Sequence, residues 1–185
     1  MAEYYLISQL PSLDGLGENT PMPITEERFL ELCGRFSGKK TQSELEKLTL
    51  VPPINPEKSS STLIEAWNTE ERKLRLALAK SRADKLNKPF DLKNEILPVE
   101  LIKTANGATE IENPLEAEKF LHAYRLNFLE TIRPMDTFSE DFIFYYGLKL
   151  KLILRMRELD TKLGETTYRN IYNSILNGDR LEALI

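Results

Sequence analysis

The segment from Ser139 to Leu163 repeats apolar residues at the spacing of an α-helix, and this pattern limits the fold more than any other part of the chain. At about 100° per residue, one face of this segment collects Phe142, Tyr145, Tyr146, Leu152, Ile153, Met156 and Leu163. Ser139 is a typical helix cap and Gly164 a typical stop signal. We therefore expect a long amphipathic helix with this face buried.

Lys149 and Asp160 fall inside the same apolar arc. Burying an unpaired ammonium costs several kcal/mol, which is on the order of the whole stability of a domain. Three interpretations of Lys149 remain open: an ion pair with a carboxylate, a buried stem with the ammonium in water, or a functional role as an acid, a base or a partner contact. Pairing is the usual condition for burying such a residue, so the ion pair is favoured.

Charged residues also lie in or beside the apolar stripes of two other predicted helices. Glu71, Arg75 and Arg82 share one helix, and Glu118 and Arg125 share the next. We expect ion pairs between facing helices that fix their register, with Lys149 opposite Glu118 or Glu71. The candidates for internal ion pairs are Lys149, Glu118, Glu71 and Asp160.

Helix signals dominate the remaining sequence, and strand signals are scarce. Thr25, Asn113 and Ser139 are predicted caps, and Thr41 opens a predicted capping box. Residues 90–113 are interpreted mostly as loop, although 95–104 also fits a helix broken at Pro98. The predicted helices are Glu26–Phe36, a short one ending at Leu48, Thr62–Leu86, one from Pro114 that ends before Pro134, the Ser139 helix, and Thr166–Leu176.

The clearest break in the chain lies at residues 51–61, where three prolines forbid a continuous helix. We expect an all-α fold: a helical bundle of antiparallel helices with a small N-terminal helical subdomain. Residues 1–185 are interpreted as one helical domain, with a subdivision into 1–50 and 62–185 left open. The short loops between the last three helices favour antiparallel neighbours.

Composition excludes several classes of function. The chain of 185 residues has a net charge of −4, which argues against a nucleic-acid partner. Cys33 is the only cysteine and His122 the only histidine, so no disulfide, common transition-metal site or Cys–His nucleophile pair is expected. We expect no catalytic residue, cofactor or small-molecule substrate. Without a long apolar run or a signal core, the chain is interpreted as cytoplasmic with no membrane span.

Four blocks of the sequence, taken together, resemble a known group of proteins. The first runs from Glu3 to Pro11 and holds a tyrosine pair, and the second runs from Trp67 to Leu86. The third begins Asn113-Pro114-Leu115-Glu116-Ala117-Glu118 and reaches Glu130, and the fourth is Leu148–Leu152 with Arg155. These blocks resemble an uncharacterised bacterial family encoded with V-type ATPase genes. That family is distantly similar to the C subunit of V/A-type ATPases, whose eukaryotic counterpart is the d subunit. This subunit is a socket between the central rotor stalk and the membrane ring.

The resemblance implies an all-helical, non-catalytic accessory or central-stalk-associated component of a bacterial V-type rotary ATPase. Such a component serves ion or proton transport through protein–protein interaction, and lies peripheral to the membrane through the complex. Its partners would be ATPase subunits on the stalk or membrane-ring side. Arg72, Arg75 and Arg125 are the candidate partner contacts. With 185 residues, the chain is shorter than a full socket protein, so a complete three-bundle socket is not expected.

Two rival functions make different predictions. One is a generic helical interaction adaptor unrelated to ATPases, and the other is a small enzyme that uses Lys149 with Glu118. An enzyme should hold Lys149 exposed at the floor of a pocket. A stalk protein should hold Lys149 sealed by packing and should expose an apolar patch elsewhere.

Overall fold

A computed structural model describes residues 2–16, 20–53, 58–92, 95–159 and 161–182. The described residues form helices and no strand, so the expected all-α fold is confirmed. The helices are α1 (Ala2–Gln9), α2 (Glu26–Phe36), α3 (Lys39–Lys47), α4 (Thr62–Lys85), α5 (Val99–Glu110), α6 (Pro114–Thr131), α7 (Glu140–Glu158) and α8 (Thr161–Glu182). Asp160 lies outside the described residues.

The predicted caps Thr25, Asn113 and Ser139 are confirmed. Each side chain accepts a hydrogen bond from a backbone N–H in the first turn of α2, α6 or α7, where no helical carbonyl is available. Ser61 does the same for α4. These local bonds explain why the predicted starts of α2, α6 and α7 agree with the structure.

The capping box predicted at Thr41 is wrong. Helix α3 begins earlier, at Lys39, and Gly38 precedes it without any side-chain cap. Thr41 is buried inside the helix, and its hydroxyl donates a 3.0 Å hydrogen bond to Oε1 of Glu140 on α7. A contact with a distant helix has therefore replaced the local cap.

The loop predicted across residues 90–113 is wrong for the stretch that forms α5. Pro98 stands just before this helix, where a missing N–H is harmless, and the predicted turn at Asn106-Gly107 lies within it. Leu101, Ala105 and Ala108 are buried on its inner face. Packing of this face has overridden the local turn signal.

Gly164 does not end the Ser139 helix, although its sequence position predicts that it should. Helix α7 ends at Glu158, and Gly164 lies within α8. Every described side chain of α8, from Gly164 to Leu176, is exposed. The short loops favoured antiparallel neighbours for the last helix, but its side chains are not buried against the preceding helices over this stretch.

Among the described residues, two hydrophobic clusters form the core, and both α4 and α6 contribute to each. The first joins α1, α2 and α3 with the start of α4, the end of α6 and α7, and its largest buried side chains include Trp67 and Phe29. The second joins the later part of α4 with α5 and α6. In α7, every residue from Ile143 to Leu150 is buried, so this helix is enclosed by its neighbours in the first cluster.

Candidate functional site: buried charges and an exposed helix face

Lys149 is 9% exposed and forms part of a small polar cluster on α7. Its Nζ donates to Oδ1 of Asp14 at 2.5 Å, to Oε1 of Glu130 at 2.6 Å and to the Tyr145 hydroxyl at 3.2 Å. Tyr145 in turn donates to the same Glu130 oxygen at 2.6 Å. All three donor positions of the ammonium are therefore occupied.

The charges in this cluster hold one another in the ionised state. Burial by itself lowers the pKa of Lys149, but the hydrogen bonds to Asp14, Glu130 and Tyr145 outweigh it and raise that pKa. The bond from Lys149 lowers the pKa of Asp14. For Glu130, burial raises the pKa, but the bonds from Lys149 and Tyr145 bring it below its ordinary value. Lys149 is thus held as a cation and is a poor candidate for a base.

Asp14 reaches Lys149 from the loop between α1 and α2. Its backbone N–H donates to the Ser12 hydroxyl at 3.2 Å, and Gly15 follows with a φ of 68°. This φ lies in the left-handed region, which glycine adopts at little cost. The turn therefore presents the carboxylate toward α7.

The expected partners of Lys149, Glu118 and Glu71, are wrong. Lys149 pairs with Asp14 and Glu130, whereas Glu71 and Glu118 pair with arginines. A helical wheel gives the face on which a residue lies but not which elements cover that face. The turn from Ser12 to Gly15 contains Asp14, but nothing in the local sequence connects this turn to α7.

A second cluster of charges ties α4 to α6 and α7. Glu71 is 3% exposed, and Arg125 donates to it from Nε at 2.9 Å and from Nη2 at 3.1 Å. Glu71 also accepts a 2.9 Å bond from Nε of Arg75. Glu118 accepts bonds from Arg125 at 3.3 Å and from Arg155 of α7 at 2.9 Å. Glu71 and Glu118 thus take part in bonds between helices.

The three candidate partner contacts bond within the chain. Arg72 pairs with Glu95, and Arg75 pairs with Glu71. Arg125 is buried, so it is not available at a flat surface. Arg72 and Arg75 each keep about two fifths of their side chain exposed, at 40% and 41%.

A cleft of about 290 Å³ lies beside the second cluster, between α4 and α6. Its lining is both apolar and charged: Leu78, Ala79, Leu121, Arg75, Arg82, Arg125 and Glu118. Lys149 does not line this cleft.

Helix α8 exposes an apolar stripe, which consists of Tyr168, Ile171, Tyr172, Ile175 and Leu176. These side chains are between 45% and 67% exposed. Their spacing places them along one face of the helix, where the rings of Tyr168 and Tyr172 stack with centroids 6.1 Å apart. Unlike the apolar side chains of α7, the described apolar side chains of α8 are exposed to solvent.

Burial shifts the pKa of both Cys33 and His122. Burial raises the pKa of the Cys33 thiol to about 12. For His122, burial and the nearby Arg125 lower the pKa. Within the described part of the chain, no group of three or more His, Cys, Asp or Glu side chains is placed to hold a metal ion. Over the same residues, no helix is both long and apolar enough to cross a membrane.

Residues 71–179 match the family model described as "Protein of unknown function (DUF2764)". Because this range is more than half of the 185 residues, the chain belongs to that family. No curated protein and no solved structure matches the chain. The matched range includes the Glu71–Arg125 cluster, the cleft and the α8 stripe, whereas Asp14 lies before it.

Proposed function

We propose that this protein is a non-catalytic accessory or central-stalk-associated component of a bacterial V-type rotary ATPase, and that it binds an ATPase subunit through the α8 stripe. The link to the ATPase comes from the sequence resemblance of the four blocks. The observation that carries the interaction role is the exposure of five large apolar side chains on one face of α8.

The size of the stripe supports an interface. The largest apolar patch on a typical monomer is roughly 300–600 Å² and is often functional. Five side chains of this size, each about half exposed, reach that range. Aromatic residues are enriched at interfaces because they bring much contact area with few rotatable bonds, and the stripe holds two tyrosines.

The surroundings of Lys149 also support a binding role. A stalk protein should seal this lysine and expose an apolar patch elsewhere. Lys149 is bonded to Asp14, Glu130 and Tyr145, while the stripe is exposed on α8. For the enzyme alternative, Lys149 and Glu118 would have to act together, yet each is engaged with different residues.

Affinity purification from the native cell tests the proposal. A tagged wild-type chain is compared with I171E/I175E, which adds two charges to the stripe, and with N170E/N173E, which adds the same charges on the other side of α8. Burying one isoleucine is worth about 1.5–3 kcal/mol, so the stripe variant should recover at least about tenfold less of its partner. The matched control should recover as much as wild type.

Mass spectrometry of the recovered proteins separates the alternatives. Recovery of V1 or membrane-ring subunits by wild type and N170E/N173E, but not by I171E/I175E, supports the proposal. Stripe-dependent recovery of unrelated proteins alone would support the adaptor and contradict the ATPase role. Recovery of ATPase subunits at equal levels by all three chains would exclude the α8 stripe as the binding surface.

A further inference from the structure

The cleft between α4 and α6 carries an excess of positive charge in an acidic protein. Three of its lining residues are arginines and one is a glutamate, which leaves two positive charges. Including Glu71 and Arg155, which bond to the lining residues, adds one charge of each sign and leaves this balance unchanged. The whole chain has a net charge of −4. The electrostatic potential in the cleft therefore favours the binding of anions.

The arginines keep unused hydrogen-bond donors. A guanidinium has five N–H donors. Arg75 bonds to Glu71 through Nε, and neither of its terminal nitrogens bonds to a described residue. The Arg82 side chain is exposed and has no hydrogen bond or ion pair with the described residues. Two guanidinium groups at the cleft can thus donate to a ligand without breaking a bond of the fold.

The backbone brings these two arginines to the same cleft. Arg75 and Arg82 are one heptad apart on α4, a rise of about 10.5 Å at 1.5 Å per residue. Ala79 lies between them and leaves the cleft open, and Leu78 and Leu121 supply apolar walls. Arg75 and Arg82 therefore stand at opposite ends of the α4 wall of the cleft, with Ala79 between them.

Buried bonds hold one end of this arrangement in place. Arg125 is 6% exposed and is fixed by both Glu71 and Glu118. Glu71 also holds Nε of Arg75, which limits the positions of that guanidinium. A donor that is already positioned loses less entropy when a ligand binds.

We propose that this cleft binds a phosphate group, as free phosphate or as the end of a phosphate monoester. A guanidinium presents paired donors that match the oxygens of phosphate. The tetrahedral group offers oxygens in several directions, which suits donors from two ends of the cleft better than the single plane of a carboxylate. The volume of about 290 Å³ is just below the range of roughly 300–1,000 Å³ typical of pockets for drug-sized ligands. The site therefore fits a small anion or the end of a larger one, and it does not depend on the proposed ATPase role.

Calorimetric titration of the full chain with inorganic phosphate and with adenosine monophosphate, in a low-salt buffer free of phosphate, tests this site. Wild type should bind at least one of the two, and R82Q should bind at least tenfold more weakly. R82Q should keep the wild-type melting temperature, because Arg82 is exposed and bonds to no described side chain. R35Q is the matched control, since it removes one charge from an exposed arginine on α2.

The two ligands distinguish the sources of the phosphate group. Tighter binding of inorganic phosphate indicates a site for the free anion, and tighter binding of adenosine monophosphate indicates a monoester. If neither ligand produces a heat of binding at concentrations up to about 10 mM, the proposal is overturned. Equal weakening by R82Q and R35Q would also overturn it, because the effect would then be one of net charge alone.

Discussion

Arg125 on α6 donates two hydrogen bonds to the carboxylate of Glu71 on α4, at 2.9 and 3.1 Å, and both side chains are buried. Arginine and carboxylate fit each other in such a two-bond arrangement, which fixes direction as well as distance. The pair lies beside the second hydrophobic cluster, where Leu74 and Leu121 flank it along the chain. It therefore sets how α4 and α6 align.

Breaking this pair from one side should destabilise the protein. R125M leaves the Glu71 carboxylate buried with only Arg75 as a partner, and loss of one member of a buried pair costs about 3–5 kcal/mol. Urea unfolding followed by circular dichroism should show a loss of about 3 kcal/mol. The double variant E71L/R125M should recover most of it, because both buried charges are removed together and Arg75, which loses Glu71, is partly exposed to water.

The matched control for the buried pair is R28M on α2, which removes an exposed arginine bonded to Glu31. Exposed ion pairs contribute about 0–1 kcal/mol, so this variant should change the free energy of unfolding little. A similar loss in R28M and R125M would contradict the importance of burial.

The Lys149 cluster predicts a stability that depends on acid pH. Asp14 and Glu130 have pKa values below their ordinary 3.8 and 4.5, so the stability they contribute is present above those values. It is lost as the pH falls through the lower pKa values of the folded state. Wild type should therefore lose stability between about pH 5 and pH 2, and K149M should lose less over that interval.

Urea midpoints of wild type and K149M at a series of acid pH values check this prediction. K80M removes an exposed lysine of α4 and should follow the wild-type profile. At alkaline pH, Lys149 has a pKa above its ordinary value of 10.5. The stability that Lys149 contributes is therefore present below pH 10.5 and is lost only as the pH rises above that value. Parallel acid profiles for wild type and K149M would refute the coupling between Lys149 and the two carboxylates.

Gly147 should resist substitution although it lies inside a helix. A Cβ there would meet Cδ2 of Leu48 at 3.1 Å and Cε1 of Phe29 at 3.2 Å. Both neighbours are buried in the first cluster and have little room to move. Overpacking costs about 1–3 kcal/mol, which exceeds the gain of about 1 kcal/mol from replacing glycine by alanine in a helix.

Thermal unfolding of two alanine variants tests the space around Gly147. G147A should melt lower than wild type. G34A, in α2, should melt at the same temperature or higher, because nothing lies within 4 Å of its added Cβ. An increase in both variants would show that the core at Gly147 can adjust.

Cys33 should react slowly in the folded protein. Its side chain is 1% exposed, and burial raises the pKa of the thiol to about 12, so almost no thiolate is present at neutral pH. Iodoacetamide at pH 8 should label the native chain far more slowly than the chain in 8 M urea, as measured by mass spectrometry. Equal labelling rates would mean that the region around α2 opens readily.

Local signals predicted several helices well. Thr25, Asn113 and Ser139 cap the helices that their sequence positions indicated, because a cap forms within a few residues. The Asn106-Gly107 turn signal failed inside α5, where burial of one face outweighs the cost of one glycine. The stop signal at Gly164 failed as well, although its surroundings are open.

The sequence predicted the candidate site only in part. The charges of Lys149, Glu71 and Glu118 stood out because they interrupt apolar stripes, but the expected partners of Lys149 were wrong. Asp14 is 135 residues away from Lys149 along the chain, and it lies in a loop with no periodic pattern. The proposed phosphate site depends on which arginine donors remain unused, and no spacing rule predicts that.

The sequence by itself determined the helical class, the starts of α2, α4, α6 and α7, and the faces that carry apolar residues, since these follow from contacts within one or two turns. Only the tertiary structure decided that Lys149 meets Asp14 and Glu130, that Arg125 meets Glu71, and that α8 leaves its apolar stripe uncovered. These features depend on which surfaces come together from distant parts of the chain. The same helical pattern can be buried, as in α7, or exposed, as in α8.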